Sequence, residues 1–124
     1  MTAARSARGT RARLTGRRGE VLAALLLMAK GYRILGFRLA APQGEIDLLA
    51  VKGDVLAVVE VKRRVSLENA LEAVHLGQRE RLRRAAAAVA AGRPALKGAT
   101  IRLDLIALAP GRLPRHIPDA WRGS

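Results

Sequence analysis

The pattern of apolar and polar positions divides this chain into helical and extended segments. Residues 19–30 are strong helix formers and are apolar nearly all round, so they predict a buried helix that Gly31 terminates. A helical pattern returns at residue 67, is interrupted near Gly77 and continues to Ala91, where Gly-Arg-Pro stops it. The alanine tract in this second segment favours a helix that packs closely on its neighbours.

Extended segments lie between these helices. Three strands are predicted, at residues 33–39, 45–51 and 55–62. Pro42-Gln43-Gly44 supplies the first turn between them, and Lys52-Gly53-Asp54 is typical of a tight hairpin. The uninterrupted apolar run 56–59 indicates that the third strand is buried on both faces.

A fourth strand, at residues 100–108, completes the predicted order of helix, three strands, helix and strand. In this strand apolar residues alternate with Arg102 and Asp104. The helix before it forms a crossover, which makes the third and fourth strands parallel if they are neighbours. The sequence therefore predicts an α/β fold in which helices pack on a mixed sheet. The segment from Pro110 onward is predicted to be irregular.

Composition and charge narrow the class of partner. The 124 residues suit a single small domain, which we place at residues 16–124, preceded by a basic and disordered arm at residues 1–15. A formal net charge of +13 predicts a polyanionic partner, and we favour nucleic acid over anionic membrane. The absence of cysteine excludes disulfides, thiolate zinc sites and cysteine nucleophiles.

The apolar run at residues 21–29 does not predict a secreted or membrane-spanning chain. It follows Arg17-Arg18 as in a secretory signal, but Glu20 interrupts the join and Lys30 closes the run. The run is also far shorter than the roughly twenty residues that cross a bilayer. We therefore expect a cytoplasmic protein with no membrane partner.

Charged residues stand where the third strand should end. Glu60 and Lys62 are two positions apart in an extended segment, so both side chains project from one face. Asp47 in the preceding strand is placed to reach them. A carboxylate pair with a neighbouring lysine can bind a divalent cation and position a water molecule, as phosphodiester hydrolysis requires. Three alternatives stay open: Glu60 and Lys62 form an ordinary ion pair, Glu45 replaces Asp47 as the ligand, or Asp47 is only a turn-side cap.

Other polar residues are explained more simply. Glu20 near a helix start is favoured by the helix dipole, and only the other acids suggest a further role for it. Asp104 beside Arg102 predicts a structural ion pair. His75 and His116 lack metal-binding spacing and are expected to be structural or exposed. The sequence has no nucleotide-binding glycine loop and no Gly-x-Ser-x-Gly elbow, so ATP use and serine hydrolase chemistry lack support.

Taken together, the motifs resemble those of the YraN family, and through it the PD-(D/E)XK nuclease superfamily and Holliday-junction resolvase-like proteins. They are Gly16-Arg17-Arg18-Gly19-Glu20, Gly31-Tyr32-Arg33-Ile34-Leu35, Gly44-Glu45-Ile46-Asp47-Leu48, Val59-Glu60-Val61-Lys62-Arg63-Arg64, the helix around Gln78 to Ala86, Arg102-Leu103-Asp104 and His116-Ile117-Pro118-Asp119-Ala120-Trp121. The resemblance covers nearly all of residues 16–121. It implies a restriction-endonuclease-like αβββαβ core, which is the order that the apolar pattern also predicts.

The resemblance also implies roles for individual residues. Asp47, Glu60 and the Val61 carbonyl would bind Mg²⁺ or Mn²⁺. Lys62 would be the active-site lysine, and Glu20 an additional catalytic acid. Expected contacts to nucleic acid come from Arg17, Arg18, Arg63, Arg64 and Gln78. Gln78 departs from the family pattern, which often has lysine there, and this removes a positive charge near the site.

The leading functional hypothesis is a magnesium-dependent nuclease that acts on DNA, with branched DNA as a candidate substrate. A homodimer would be a natural arrangement for cutting two strands. The alternative is a non-catalytic nucleic-acid-binding module that supports recombination or repair. A basic RNA-associated protein is a third class, which competition between RNA and matched DNA would separate from the other two.

Overall fold

The computed structural model describes residues 18–122 of the chain. In this range helix α1 covers residues 18–29. Three strands follow it: β1 (Arg33–Ala41), β2 (Gly44–Lys52) and β3 (Val55–Arg63). The second half contains α2 (Leu67–Glu72), α3 (Leu76–Ala91), a short 3-10 helix (Pro94–Leu96), β4 (Thr100–Leu108) and β5 (Arg115–Ile117).

The strands form one sheet in the order β1-β2-β3-β4-β5. Strands β3 and β4 are parallel, and the other neighbours are antiparallel. This confirms the predicted α/β class, the mixed sheet and the crossover between β3 and β4. The order of α1 to β4 fits the predicted restriction-endonuclease-like αβββαβ core, to which β5 adds an edge strand.

Short local signals set the ends of several elements. Lys52 pairs with Val55 across a two-residue hairpin turn, and Gly53 there adopts a φ of 60°, which a residue without Cβ tolerates. The Ser66 hydroxyl caps α2 by accepting a hydrogen bond of 3.1 Å from the Asn69 N–H. Helix α3 ends at Ala91 before Gly92, as predicted.

Strand β3 lies at the centre of the core and is covered on both faces. Leu56 and Val58 pack with the apolar side of α2 and α3, whereas Ala57 and Val59 pack with α1. All four side chains are fully buried, which confirms the prediction from the run 56–59. The start of α1 approaches the sheet closely, because a Cβ at Gly19 would lie 2.9 Å from the Leu108 Cδ1 atom. Helices on the two sheet faces therefore enclose β3.

The prediction that the first helix is buried all round was wrong. Its buried side contains Ala23, Ala24 and Leu27. Four apolar residues on the other side are about half exposed: Val21, Leu22, Leu25 and Met28. A helix that packs on one face of a sheet buries only the side toward that sheet, so its outer residues stay in contact with solvent.

Two boundaries in the second half also differ from the prediction. The break in the helical segment falls between Glu72 and Leu76, and Gly77 lies within the first turn of α3. The segment after Pro110 is not wholly irregular, because it contains β5 and places Trp121 in the core. The Trp121 indole N–H donates to the Leu71 carbonyl at 3.1 Å. The predicted arm, residues 1–15, lies outside the described residues.

Candidate active site

The candidate site forms where β2 separates from β3. Their pairing runs from Lys52 opposite Val55 to Leu48 opposite Val59, whereas β1 follows β2 as far as Gly44. Beyond Leu48 the Val61 N–H of β3 donates to a side chain of β2 and not to its backbone. The acceptor is Asp47 Oδ2, at 3.0 Å. The tip of the β1–β2 hairpin therefore diverges from β3. We call the gap between β2 and β3 beyond Leu48 and Val59 the fork.

A solvent-accessible cleft of about 680 Å³ occupies the fork. The hairpin tip, residues 40–45, forms one wall, and α3 contributes Gln78 and Arg81 to another. Asp47, Glu60 and Lys62 line the same cleft. The structure therefore brings together the acid of the second strand and the acid and lysine of the third, on the sheet face that α3 covers.

Glu60 and Asp47 are two carboxylates in a poorly solvated position. Glu60 is 2% exposed, and its Oε2 atom lies 3.7 Å from Lys62 Nζ. Burial, and next the neighbouring Asp47 carboxylate, raises the pKa of Glu60 to about 8. Burial also raises the pKa of Asp47, against the opposing effect of the Val61 N–H. Lys62 favours the ionised form of both acids, and a further positive charge in the cleft would favour it more.

The donor atoms of the cleft fit a hard divalent cation. Two carboxylates supply oxygen ligands, and Gln43 Oε1 in the same cleft is buried and accepts no hydrogen bond from the described residues. Residues 18–122 contain no group of three or more acidic, histidine or cysteine side chains that could hold an ion. A Mg²⁺ ion here would keep several waters and take further oxygens from a substrate phosphate, as this ion commonly does.

Glu20 lies next to this cleft and is engaged elsewhere. Arg38 Nε donates to both of its carboxylate oxygens, at 2.8 and 3.0 Å. Arg38 adopts a φ of 48°, which is uncommon for a residue with a side chain. Glu20 lines a neighbouring cavity with Arg38 and Phe37. Its charge is a minor cause of the raised pKa of Asp47, after burial, so it influences the cleft without joining the carboxylate pair.

The other predicted contacts are distributed around the cleft. Gln78 is half-buried in its wall, and Glu45, the alternative ligand, is exposed at its rim. Arg63 and Arg64 are exposed where β3 ends, and Arg18 is exposed at the start of the described part of α1. The predicted contact Arg17 lies outside the described residues.

Two residues of the cleft were missed by the sequence analysis. Arg81 lies three positions after Gln78 on α3, so helical spacing would have placed it on the same face. Gln43 gave no signal, because a polar residue in a turn is unremarkable. Arg38, which holds Glu20, was likewise not singled out.

A second polar network lies on the opposite face of the sheet and is structural. Asp104 is fully buried and accepts hydrogen bonds of 2.8 Å from two nitrogens of Arg102 and 3.0 Å from the Asp119 N–H. His116 Nε2 lies 2.8 Å from the same carboxylate. Burial alone would raise the pKa of Asp104, but these partners outweigh it and the pKa is lowered. The predicted pair of Asp104 with Arg102 and the structural role of His116 are confirmed, and His75 is exposed.

Comparison with known proteins assigns the family. The model described as "Uncharacterised protein family UPF0102" matches residues 19–108, which include every residue of the cleft. The chain belongs to this family, UPF0102 (YraN), as the motifs predicted. A UPF0102 protein of Caulobacter vibrioides is 68% identical over 97% of this chain and 96% of its own length. One from Caulobacter sp. strain K31 is 71% identical over 96% and 86%, and one from Paramagnetospirillum magneticum is 51% identical over 86% and 88%.

The length and composition of the helices bear on whether they could cross a membrane. Within residues 18–122, none combines the length and the apolar character that a bilayer crossing demands.

Proposed function

We propose that this protein is a magnesium-dependent nuclease that hydrolyses phosphodiester bonds in DNA, with branched DNA among its candidate substrates. The observation that carries the proposal is the convergence of Asp47, Glu60 and Lys62 in an open cleft at the fork. Carboxylates that line a cleft and have pKa values raised by burial, as Asp47 and Glu60 do, are candidates for a functional site. The net charge of +13 adds long-range attraction for a polyanion.

Asp47 and Glu60 would hold the metal ion between them, together with the Val61 carbonyl. In a strand, the N–H and C=O of one residue point to the same side, and the Val61 N–H already points at Asp47. When bound, Mg²⁺ would supply a Lewis acid and lower the pKa of its water. Lys62, beside Glu60, would orient the attacking water and stabilise the developing phosphorane charge. Arg81 on the cleft wall is placed to hold a neighbouring phosphate.

The first prediction concerns Asp47→Asn and Glu60→Gln, which keep the size of each side chain and remove its charge. Each variant should lower Mg²⁺- or Mn²⁺-dependent DNA cleavage at least about 100-fold, because the ion loses one of two protein carboxylates. DNA binding without metal should be equal or stronger, since a repulsive charge near the phosphate has been removed. Cleavage is measured on linear, nicked, flapped and four-way substrates.

The matched controls are Glu72→Gln, an exposed acid outside the cleft, and Glu45→Gln at its rim. Both should cleave like the parent. Loss of cleavage in Glu45→Gln alone would move the ligand from Asp47 to Glu45. If the Asp47 and Glu60 variants cut as well as the parent, the proposed site is wrong. Salt-sensitive binding with no cleavage by the parent on any substrate would favour the non-catalytic nucleic-acid-binding module.

A further inference from the structure

A second groove, of about 380 Å³, lies beside the cleft at the end of β3 and β4. We call it the arginine groove. The segment after β3 supplies Arg64 and Val65, and the segment from β4 to β5 supplies Arg112, Leu113 and Arg115. Only Arg64 of these residues was a predicted nucleic-acid contact. Arg112, Leu113 and Arg115 come from the segment after Pro110, which was predicted to be irregular.

The charge of the arginine groove is largely uncompensated. Three arginines line it together with a single acid, Glu68. The ion pairs found within residues 18–122 use other cations, so neither Arg112 nor Arg115 lies within ion-pair distance of a described carboxylate. Arg64 donates to the Arg63 carbonyl, which is neutral. The groove therefore attracts anions and has no internal counter-charge at these positions.

The position of the arginine groove makes it a continuation of the cleft. Ala107 lines the groove and pairs in register with Lys62, which lines the cleft. Neighbouring strands lie about 4.8 Å apart, so a nucleic-acid backbone that leaves the cleft over Lys62 would pass directly into the groove. Ala107 shares its strand parity with Leu103 and Leu105, which belong to the core under α2 and α3. Both depressions thus open on the same face of the sheet.

The arginine groove also carries protruding apolar groups. Val65 is 77% exposed and Leu113 is 89% exposed. These are the two highest values among the large apolar residues of the described part of the chain. A small inorganic anion would gain nothing from these side chains. A nucleic-acid strand offers phosphates to the arginines and apolar sugar and base surfaces to Val65 and Leu113, which resembles the apolar wedges that many DNA-binding proteins insert.

We propose that the arginine groove binds the DNA strand that extends from the cleft, with Arg112 and Arg115 on its phosphates and Leu113 against its sugars and bases. The proposal rests on the proposed function for the orientation of the strand. It extends the DNA contacts beyond the metal pair to the β4–β5 segment. The groove itself, however, binds DNA without a metal ion, so the two can be tested separately.

The test measures binding of a fluorescein-labelled DNA duplex in EDTA, which prevents metal-dependent cleavage. Arg112→Ala/Arg115→Ala should weaken binding about tenfold at moderate salt and lower the slope of log K against log salt by about two, one for each lost phosphate contact. The matched control is Arg33→Ala/Arg93→Ala, which removes the same charge from exposed positions near the opposite end of the sheet. The control should change binding less than about twofold.

Two further variants separate the contribution of the groove's charge from that of its apolar contact. Arg112→Lys/Arg115→Lys keeps the charge and should restore most of the affinity, which excludes misfolding as the cause of the loss. Leu113→Ser should weaken binding about threefold without changing the salt slope, because it removes an apolar contact and no charge. Circular dichroism and thermal unfolding of each variant verify that the fold is intact.

Equal binding by the alanine pair and the control pair would overturn the proposal, even if the protein proves to be a nuclease. Conversely, groove-dependent binding without cleavage on any substrate would support the arginine groove and defeat the nuclease proposal. Tighter, groove-dependent binding of RNA of the same sequence would overturn the assignment to DNA. Loss of binding in the lysine pair as severe as in the alanine pair would also count against phosphate contacts.

Discussion

Glu60 belongs both to the buried strand β3 and to the candidate site. It follows four fully buried apolar residues in β3, so its carboxylate enters the cleft from the core side with little access to water. Lys62 compensates part of its charge at 3.7 Å, and Asp47 opposes ionisation. A divalent cation would stabilise both carboxylates in their ionised form, because it would add positive charge beside them.

A pH dependence of stability follows from Glu60. Its pKa is raised from 4.5 to about 8 on folding, so the folded state binds more protons than the unfolded state between these values. The free energy of unfolding in EDTA should therefore fall as pH rises through this window. Between pH 5 and pH 9 the decrease should be on the order of 4 kcal/mol, because about three pKa units separate pH 5 from the folded pKa and each corresponds to about 1.4 kcal/mol. Urea unfolding of the parent and of Glu60→Gln at pH 5 and pH 9 measures it.

Glu60→Gln should show a much flatter pH dependence, with a smaller remainder from Asp47, whose pKa is raised in the same direction. Saturating Mg²⁺ should reduce the decrease in the parent, because a bound cation favours both ionised carboxylates. An equal decrease in parent and variant would assign the pH dependence to other groups.

The site residues that could be predicted from the sequence are those whose polarity differs from that of their neighbours. Asp47, Glu60 and Lys62 interrupt apolar strands, where a charge needs an explanation, and sequence analysis therefore selected them. Gln43 and Arg81 lie in a turn and on an exposed helix position, where polar residues are ordinary. Gln43 lines the cleft because α3 and the hairpin tip approach each other, which local sequence does not encode, whereas Arg81 follows from helical spacing once Gln78 is placed there.

At the scale of elements, the strands were easier to predict than the limits of the helices. Apolar runs or alternation, together with turn residues, predict β1 to β4, but the three residues of β5 are too few for a period to appear. The composition of α1 shows its apolarity but not how many elements pack on it. The sheet covers only one side of α1, so four of its six large apolar residues in the described range stay exposed.

Asp104 joins three of these elements and should be important for stability. Its buried carboxylate connects β4, His116 of β5 and the turn at Asp119. Asp104→Asn should lower the free energy of unfolding by about 3 kcal/mol, because Arg102 and His116 lose a buried charged acceptor. Urea unfolding measures the loss. Asp54→Asn, at an exposed hairpin turn, is the control and should change stability by less than about 0.5 kcal/mol.

Amide hydrogen exchange should locate the effect of Asp104→Asn. Exchange at β5 and at the Asp119 amide should accelerate more than exchange at the β2–β3 pairing, since the lost hydrogen bonds connect β5 to β4. Uniform acceleration across the sheet would contradict a local role for this network.

At the scale of the whole molecule, part of the positive charge lies close to the cleft. The exposed arginines after β3 and those of the arginine groove lie at the end of the sheet that also holds Glu60 and Lys62. Further arginines belong to residues 1–15, which lie outside the described part of the chain. A protein of net charge +13 should bind DNA weakly almost anywhere on its surface, so the salt slope is more informative than the affinity alone.

The contribution of residues 1–15 can be measured by charge removal. Substituting alanine for its four arginines, Arg5, Arg8, Arg11 and Arg13, should lower the salt slope for duplex DNA by up to about 3.6, at about 0.9 for each phosphate neutralised. The fold should be unaffected, which thermal unfolding verifies. An unchanged slope would show that these residues do not contact the DNA backbone, and would leave the folded domain as the source of binding.

The fork has a consequence for how this family can vary. One or two more backbone hydrogen bonds between β2 and β3 would extend a regular ladder and stabilise the sheet, yet they would close the gap that separates the hairpin tip from its neighbour. Selection for a longer ladder and selection for an accessible cleft therefore act in opposite directions at Asp47. Sequences in which these strands pair over a longer ladder are expected to be more stable and to lack the open cleft, and screening variants for heat resistance alone would enrich them.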